Sequence, residues 1–197
     1  MKKKNNHFLQ NEYRKSWGFV KESRNFIYAV ILVFFITSLL GFFIPLPESL
    51  TQQILEFIQE LLEKTKGMSQ FELTNFIFLN NLQSSFIGMV SGILFGIYPL
   101  FATIANGFIL GFVASISVSE VGFLVLWRIL PHGIFELPAI FISFGLGLKI
   151  GSFIFQKKKF KSLKNYSLNS LKVFVFIIIP LLIIAAVIEG ALIFLFS

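Results

Sequence analysis

FIYAVILVFFITSLLGFFI, residues 26–44, contains no charged residue and ends against Pro45 and Pro47. A helix this long and apolar matches the hydrocarbon core of a bilayer, about 30 Å thick. Four further runs read the same way: 76–98, closed by Pro99; 100–118; 121–150, interrupted by Arg128, Pro131, His132, Glu136 and Pro138; and 173–196, interrupted by Pro180 and Glu189. Pro131 removes a backbone donor and Gly133 adds freedom, so the fourth span is expected to follow a separate half-helix. The expected fold class is all-α: a polytopic helical membrane protein of about five spans.

Composition agrees. The chain has 197 residues, 55% hydrophobic and 14% charged, with 27 Phe, a net charge of +7 and no Cys. Its mean hydropathy is +0.80. A soluble domain this small could not hide so much apolar surface. The absence of Cys excludes disulfides and thiolate metal sites. A polar stretch precedes the first run and no small-x-small site follows it, so that run is expected to be retained and not cleaved as a signal peptide.

The charges give an orientation. Basic residues cluster before the first run (Lys2, Lys3, Lys4, Arg14, Lys15, Lys21, Arg24) and around the segment between the fourth and fifth (Lys149, Lys157, Lys158, Lys159, Lys161, Lys164, Lys172). The loop 45–75 is acidic. Lys and Arg favour the cytoplasmic side. Five crossings then place the N-terminus inside, the C-terminus outside and the acidic loop outside, in a plasma membrane. The basic clusters read as orientation signals and lipid contacts, not as a nucleic-acid footprint. The expected layout is a cytoplasmic basic amphipathic segment, 1–25, and one membrane domain, 26–197, with a cytoplasmic basic loop at 152–172.

Two segments read as amphipathic helices. Over 49–66, Leu50, Ile54, Phe57, Ile58, Leu61 and Leu62 recur at helical period while Glu56, Glu60 and Glu63 line another face. Ser49 and Gln52 have capping-box spacing, and Gly67 suits the position after the last turn. This helix is expected to rest on lipid or on the bundle, the alternative being a docking surface for an extracytoplasmic protein. Near the N-terminus, Tyr13, Trp17 and Val20 among basic residues read as an inner-surface anchor.

Small residues form stripes. Ser84, Gly88, Gly92 and Gly96 are four apart on the second span; Gly107, Gly111 and Ser115 repeat this on the third, and Gly147 and Gly151 on the fourth. Such stripes let helix backbones approach closely. With Pro99 forcing a turn, the second and third spans are expected to form a tight hairpin whose faces serve the bundle or a homodimer.

Polar residues within the spans form the candidate site. Helix rise places Glu136 about 20 Å above Lys149, and Glu189 about 25 Å above Lys172. Asn80, Asn81, Arg128, His132, Glu136 and Glu189 are expected in one outer-leaflet layer. Asn106 completes the proposed buried polar network, although it counts nearer the inner side. Such a layer can pin helices, or relay protons or ions. No metal and no cofactor is expected, since one His and two Glu lack the His-Glu-x-x-His run of a metalloprotease, and no nucleophile elbow or phosphate loop is present. The chain is expected not to be an enzyme.

Pro131-His132-Gly133-x-x-Glu136-Leu137-Pro138-Ala139, followed by Gly145, Gly147 and Gly151, resembles the stage II sporulation protein M family. Asn80-Asn81 with its glycine stripe, Asn106-Gly107 with Gly111, and Glu189 extend the resemblance over residues 80–190. The first span and the 45–75 loop carry no matching motif. The resemblance implies a non-enzymatic membrane scaffold. In spore formers it works with two secreted partners, a lytic transglycosylase and an amidase, in a peptidoglycan-degrading complex. Similar proteins occur in bacteria and archaea that do not sporulate. The competing expectation is a small permease or lipid-handling transporter component, for which a cavity reaching Glu136 and Glu189 would discriminate.

Overall fold

In lipid, backbone polar groups must be satisfied within the segment that carries them, and the helix does this. The computed structural model describes residues 2–196, and side chains for 9–120, 122–124 and 136–192. Among the described residues there is no strand. Five helices are long and apolar enough to cross a membrane: Arg24–Phe43, Gln70–Ile93, Ile97–Glu120, Glu136–Phe155 and Lys159–Leu192.

The chain begins with α1 (Lys2–Glu22) and α2 (Arg24–Phe43), separated by Ser23 alone. Ser23 keeps a right-handed backbone, φ −92° and ψ 0°. Its N–H donates to the Phe19 carbonyl at 3.0 Å, and the Ile27 N–H donates to the Ser23 carbonyl at 3.2 Å. One ladder therefore passes through the junction. Buried positions continue across it at helical spacing, from Glu12, Ser16, Phe19 and Ser23 to Ile27, Val30 and Phe34.

At the far end of α2, Pro45 and Pro47 turn the chain back into α3 (Glu48–Thr65). This helix starts at Glu48, directly after Pro47, with no side-chain cap, so the expected capping box at Ser49 is not formed. Gly67, at φ +81°, ends it. Ser69 then opens α4 (Gln70–Val90) with a capping box: its backbone N–H donates to Glu72 Oε2 at 2.8 Å, and the Glu72 N–H donates back to Ser69 Oγ at 3.4 Å.

A 3-10 turn, Ser91–Ile93, leads to α5 (Ile97–Val121). Phe95 (φ +59°) and Gly96 (φ +73°) make the reversal. Pro99 does not force it. It sits in the first turn of α5, where its missing N–H would have had no intrahelical acceptor. The tight hairpin does not form either: α4 lies against α6 (Leu126–Gly151) and α8 (Ile179–Phe196), and α5 lies chiefly against α2. The segment expected as a separate half-helix is the first part of α6, which runs unbroken past Pro131. That proline stands just beyond the first turn and removes only one helical hydrogen bond.

A 3-10 turn, Ser152–Phe155, precedes α7 (Lys159–Val173), and a π turn, Phe174–Ile178, joins α7 directly to α8. Pro180 follows that turn. It has no N–H for the Phe176 carbonyl, and its ring crowds that oxygen; widening the preceding turn accommodates both effects.

At the basic end, α1 packs on α7. Lys172 donates to Glu12 Oε2 at 2.6 Å and Lys15 donates to Glu12 Oε1 at 2.8 Å. The Lys15 ammonium, and after it Lys172, holds the Glu12 carboxyl below its ordinary value. Tyr13 and Trp17, edge to face at 6.3 Å, stay exposed on the other side. Of the three residues expected to form a surface anchor, Tyr13 and Trp17 are exposed and Val20 is buried.

Candidate functional site

Close backbone approach builds the frame of the site. A Cβ on Gly92 would strike the Gly147 carbonyl, and one on Gly147 would lie 2.5 Å from the Gly88 oxygen. Gly88 faces the Phe144 ring, and Gly151 faces the Phe95–Gly96 backbone. Gly96 is a left-handed turn residue near Leu148 and Gly151 and not part of a helical stripe. On α5, Gly107 meets Phe34 and Thr37, and Gly111 meets Ser38 and Phe42, all on α2; Gly41 of α2 meets Phe108 in return. Gly88, Gly92, Gly107 and Gly111 are thus all packed within one chain.

Ser84 is exposed, and Ser85 takes the expected place in the α4–α6 contact. The reason is helical phase. A strict spacing of four drifts around a 3.6-residue helix, whereas 85, 88 and 92 stay on one face. Ser143 of α6 donates to the Ser85 carbonyl at 2.5 Å.

The polar residues converge only in part. Asn80, Asn81, Glu136 and Glu189 line one cavity of about 460 Å³, with Leu73, Phe76 and Ile77 of α4 and Ile58, Leu61, Leu62 and Thr65 of α3. Asn81 is buried, Asn80 is exposed, and the two glutamates are half-buried. Each glutamate interacts with another group of the protein. The side chains of Arg128 and His132 lie outside the described residues. Asn106 does not join the network. It is exposed on α5, and its amide donates to the Ala102 carbonyl at 2.7 Å, so it is satisfied on its own helix.

The α3 helix walls this cavity with its second half. Its first half flanks α5, where Leu50 and Ile54 share an apolar groove of about 290 Å³ with Phe101, Ile104 and Phe108. One stripe of this helix, Thr51, Ile54, Ile58, Leu61 and Thr65, is half-buried. None of its residues is fully buried, and Leu55, Phe57 and Leu62 remain exposed.

A second polar cluster, not singled out from the sequence, lies at the basic end. Lys149, counted only as an orientation marker, is buried. Its Nζ donates to Ser23 Oγ at 3.1 Å, lies 3.8 Å from Glu22 Oε2 and sits 4.0 Å from the centre of the Phe19 ring. It ties α6 to the α1–α2 junction. Its spacing from Ser23 in the chain is too large for any local pattern to have signalled the pair. Among the described residues no group of three His, Cys, Asp or Glu could hold a metal ion.

Five long apolar helices, glycine-mediated contacts and a polar layer inside them define a polytopic helical membrane protein. The family model for Stage II sporulation protein M matches residues 30–192. The chain belongs to that family. It is also 36% identical, over 119 residues, to the uncharacterized protein MJ0793 of Methanocaldococcus jannaschii. That alignment covers 57% of this chain and 66% of the other, just under two thirds of the relative's length. No solved structure matches.

Proposed function

We propose that the protein is a non-enzymatic scaffold of the plasma membrane, with its N-terminus in the cytoplasm and its C-terminus outside. The lysine-rich end carrying α1 and α7 would face inward, and the glutamate-rich α3 outward. The observation that carries the reading is α3 itself. This helix half-buries one stripe, Thr51, Ile54, Ile58, Leu61 and Thr65, and leaves Leu55, Phe57 and Leu62 exposed. Exposed apolar groups beside polar ones suit attachment to another protein. Family membership and the resemblance favour secreted-side partners, of which cell-wall-cleaving enzymes are the class in sporulating relatives.

A photo-crosslinker at position 55 or 57 of the full-length protein, activated in native membranes, tests this. Discrete adducts to an extracytoplasmic protein are expected, with none from position 168 on α7. Adducts to lipid alone from position 57 would defeat the scaffold reading.

A second reading is a lipid-handling component. The cavity favours it, because a scaffold needs no open volume reaching Glu136 and Glu189.

A further inference from the structure

The two basic clusters read alike in the sequence, but the structure separates them. Lys15 and Lys172 hold Glu12, and Lys149 lies 3.8 Å from Glu22. Glu12 and Glu22 are the acidic residues of 1–47, and 137–188 contains none. Lys157, Lys158, Lys159, Lys161 and Lys164 are all exposed, and among the described residues none of them forms an ion pair. Their charge is left for a partner outside the chain.

The same turn is also apolar. Phe155 closes the fourth span, Glu136–Phe155, and is 82% exposed; Phe160, in the first turn of α7, is 86% exposed. Phe153, in the same 3-10 turn as Phe155, stacks at 6.3 Å on Phe95, itself exposed in the reversal between α4 and α5. Two bare rings thus flank the Lys157–Lys159 run, and Gln156 alone separates that run from the end of the span. Exposed apolar groups mark contact surfaces, and apolar area beside basic charge suits an anionic membrane. The headgroup layer is the anionic surface that lies at this level. Rings can enter the acyl chains while the lysine stems carry their ammonium groups out to the phosphates. We propose that the turn between α6 and α7 binds anionic phospholipid, with Phe155 and Phe160 set among the acyl chains and the five lysines on the headgroups. This goes beyond the scaffold reading and does not depend on it.

The test uses full-length protein with a single indole, Phe160→Trp in a Trp17→Phe/Trp127→Phe background. It is placed in phosphatidylcholine nanodiscs doped with brominated phosphatidylglycerol or, at the same low mole fraction, brominated phosphatidylcholine. Bromine quenches indole only at close approach. Phosphatidylglycerol is expected to quench at least about fivefold more, the worth of one lysine near an anionic surface. Leu39→Trp in the same background, on the exposed face of α2, should be quenched equally by both lipids. Replacing the five lysines by Gln should abolish the excess at position 160. The same loss is expected with every lysine present in about 1 M salt, where charges are screened beyond about 3 Å. That measurement decides alone if the Gln variant fails to insert. Equal quenching at position 160 by the two lipids overturns the proposal, as does an excess of the same size at position 39 or one that survives salt. Quenching by neither lipid also overturns it, and leaves the lysines to an acidic macromolecule in solution.

Discussion

The hydroxyl of Ser143 on α6 reaches the backbone carbonyl of Ser85 on α4 where the two helices come closest. Both serines are fully buried. Interhelical hydrogen bonds within membranes average about 0.6 kcal/mol and reach about 1.7. Ser143→Ala is expected to destabilise by that order and to keep the fold. Ser143→Leu, which must also find room, should cost about 1–3 kcal/mol. Unfolding in mixed micelles measures both.

Glycine substitutions should divide sharply by position. Gly147→Ala puts a methyl 2.5 Å from the Gly88 oxygen and 3.1 Å from the Pro99 ring, so the α4–α6 contact must open and folded yield should fall. Nothing lies within 4 Å of a Cβ on Gly18. There, Gly18→Ala should stabilise α1 by up to about 1 kcal/mol through helix propensity. Size-exclusion yield and thermal unfolding separate the two outcomes.

Docking of α1 on α7 should depend on acid. The Glu12 carboxyl lies below its ordinary value of 4.5, held there by Lys15 first and Lys172 second. A carboxyl lowered by folding contributes its full stability above the ordinary value and loses it as the pH falls through the lower, folded value. Trp17 fluorescence, in a Trp127→Phe background, should therefore shift as the pH drops below about 4.5. Glu12→Gln should show the shifted signal already at neutral pH and lose the titration. A titration retained in Glu12→Gln would assign it to another group.

The polar residues of the spans should not be equivalent. Asn106→Leu removes an amide already satisfied by its own helix and should leave yield within experimental scatter. Glu136→Ala and Glu189→Ala strip partners from groups inside the bundle and should lower folded yield in detergent. Normal yield in both glutamate variants, with loss of flux in a reconstituted assay, would favour transport over the scaffold.

Reading spans from sequence succeeds because uncharged runs have few alternatives in lipid. Their ends depend on finer chemistry. The second span begins at Gln70 and not near residue 76 because Ser69 and Glu72 cap it, a pattern present in Ser69-x-x-Glu72. The expected outer layer held six residues; Asn80, Asn81, Glu136 and Glu189 line one cavity, and the side chains of Arg128 and His132 lie outside the described residues. The same count left Asn106 apart, and its back-bond keeps it there. Glycine spacing marked close contacts on α4 and α5 without naming the partner helices. That choice rests on tertiary phase, as the exchange of Ser84 for Ser85 illustrates. The buried Lys149 had no local signature, because its Ser23 partner lies far away in the chain.

Both α1–α2 and α7–α8 pass from one helix to the next without a loop, the first through Ser23 and the second through the π turn. Lys172 of the second joins Glu12 of the first at the lysine-rich end. Separating α1 from α7 would therefore have to bend or break helices that run on without a loop. At the other end of α8, Gly190 packs against Thr74 of α4.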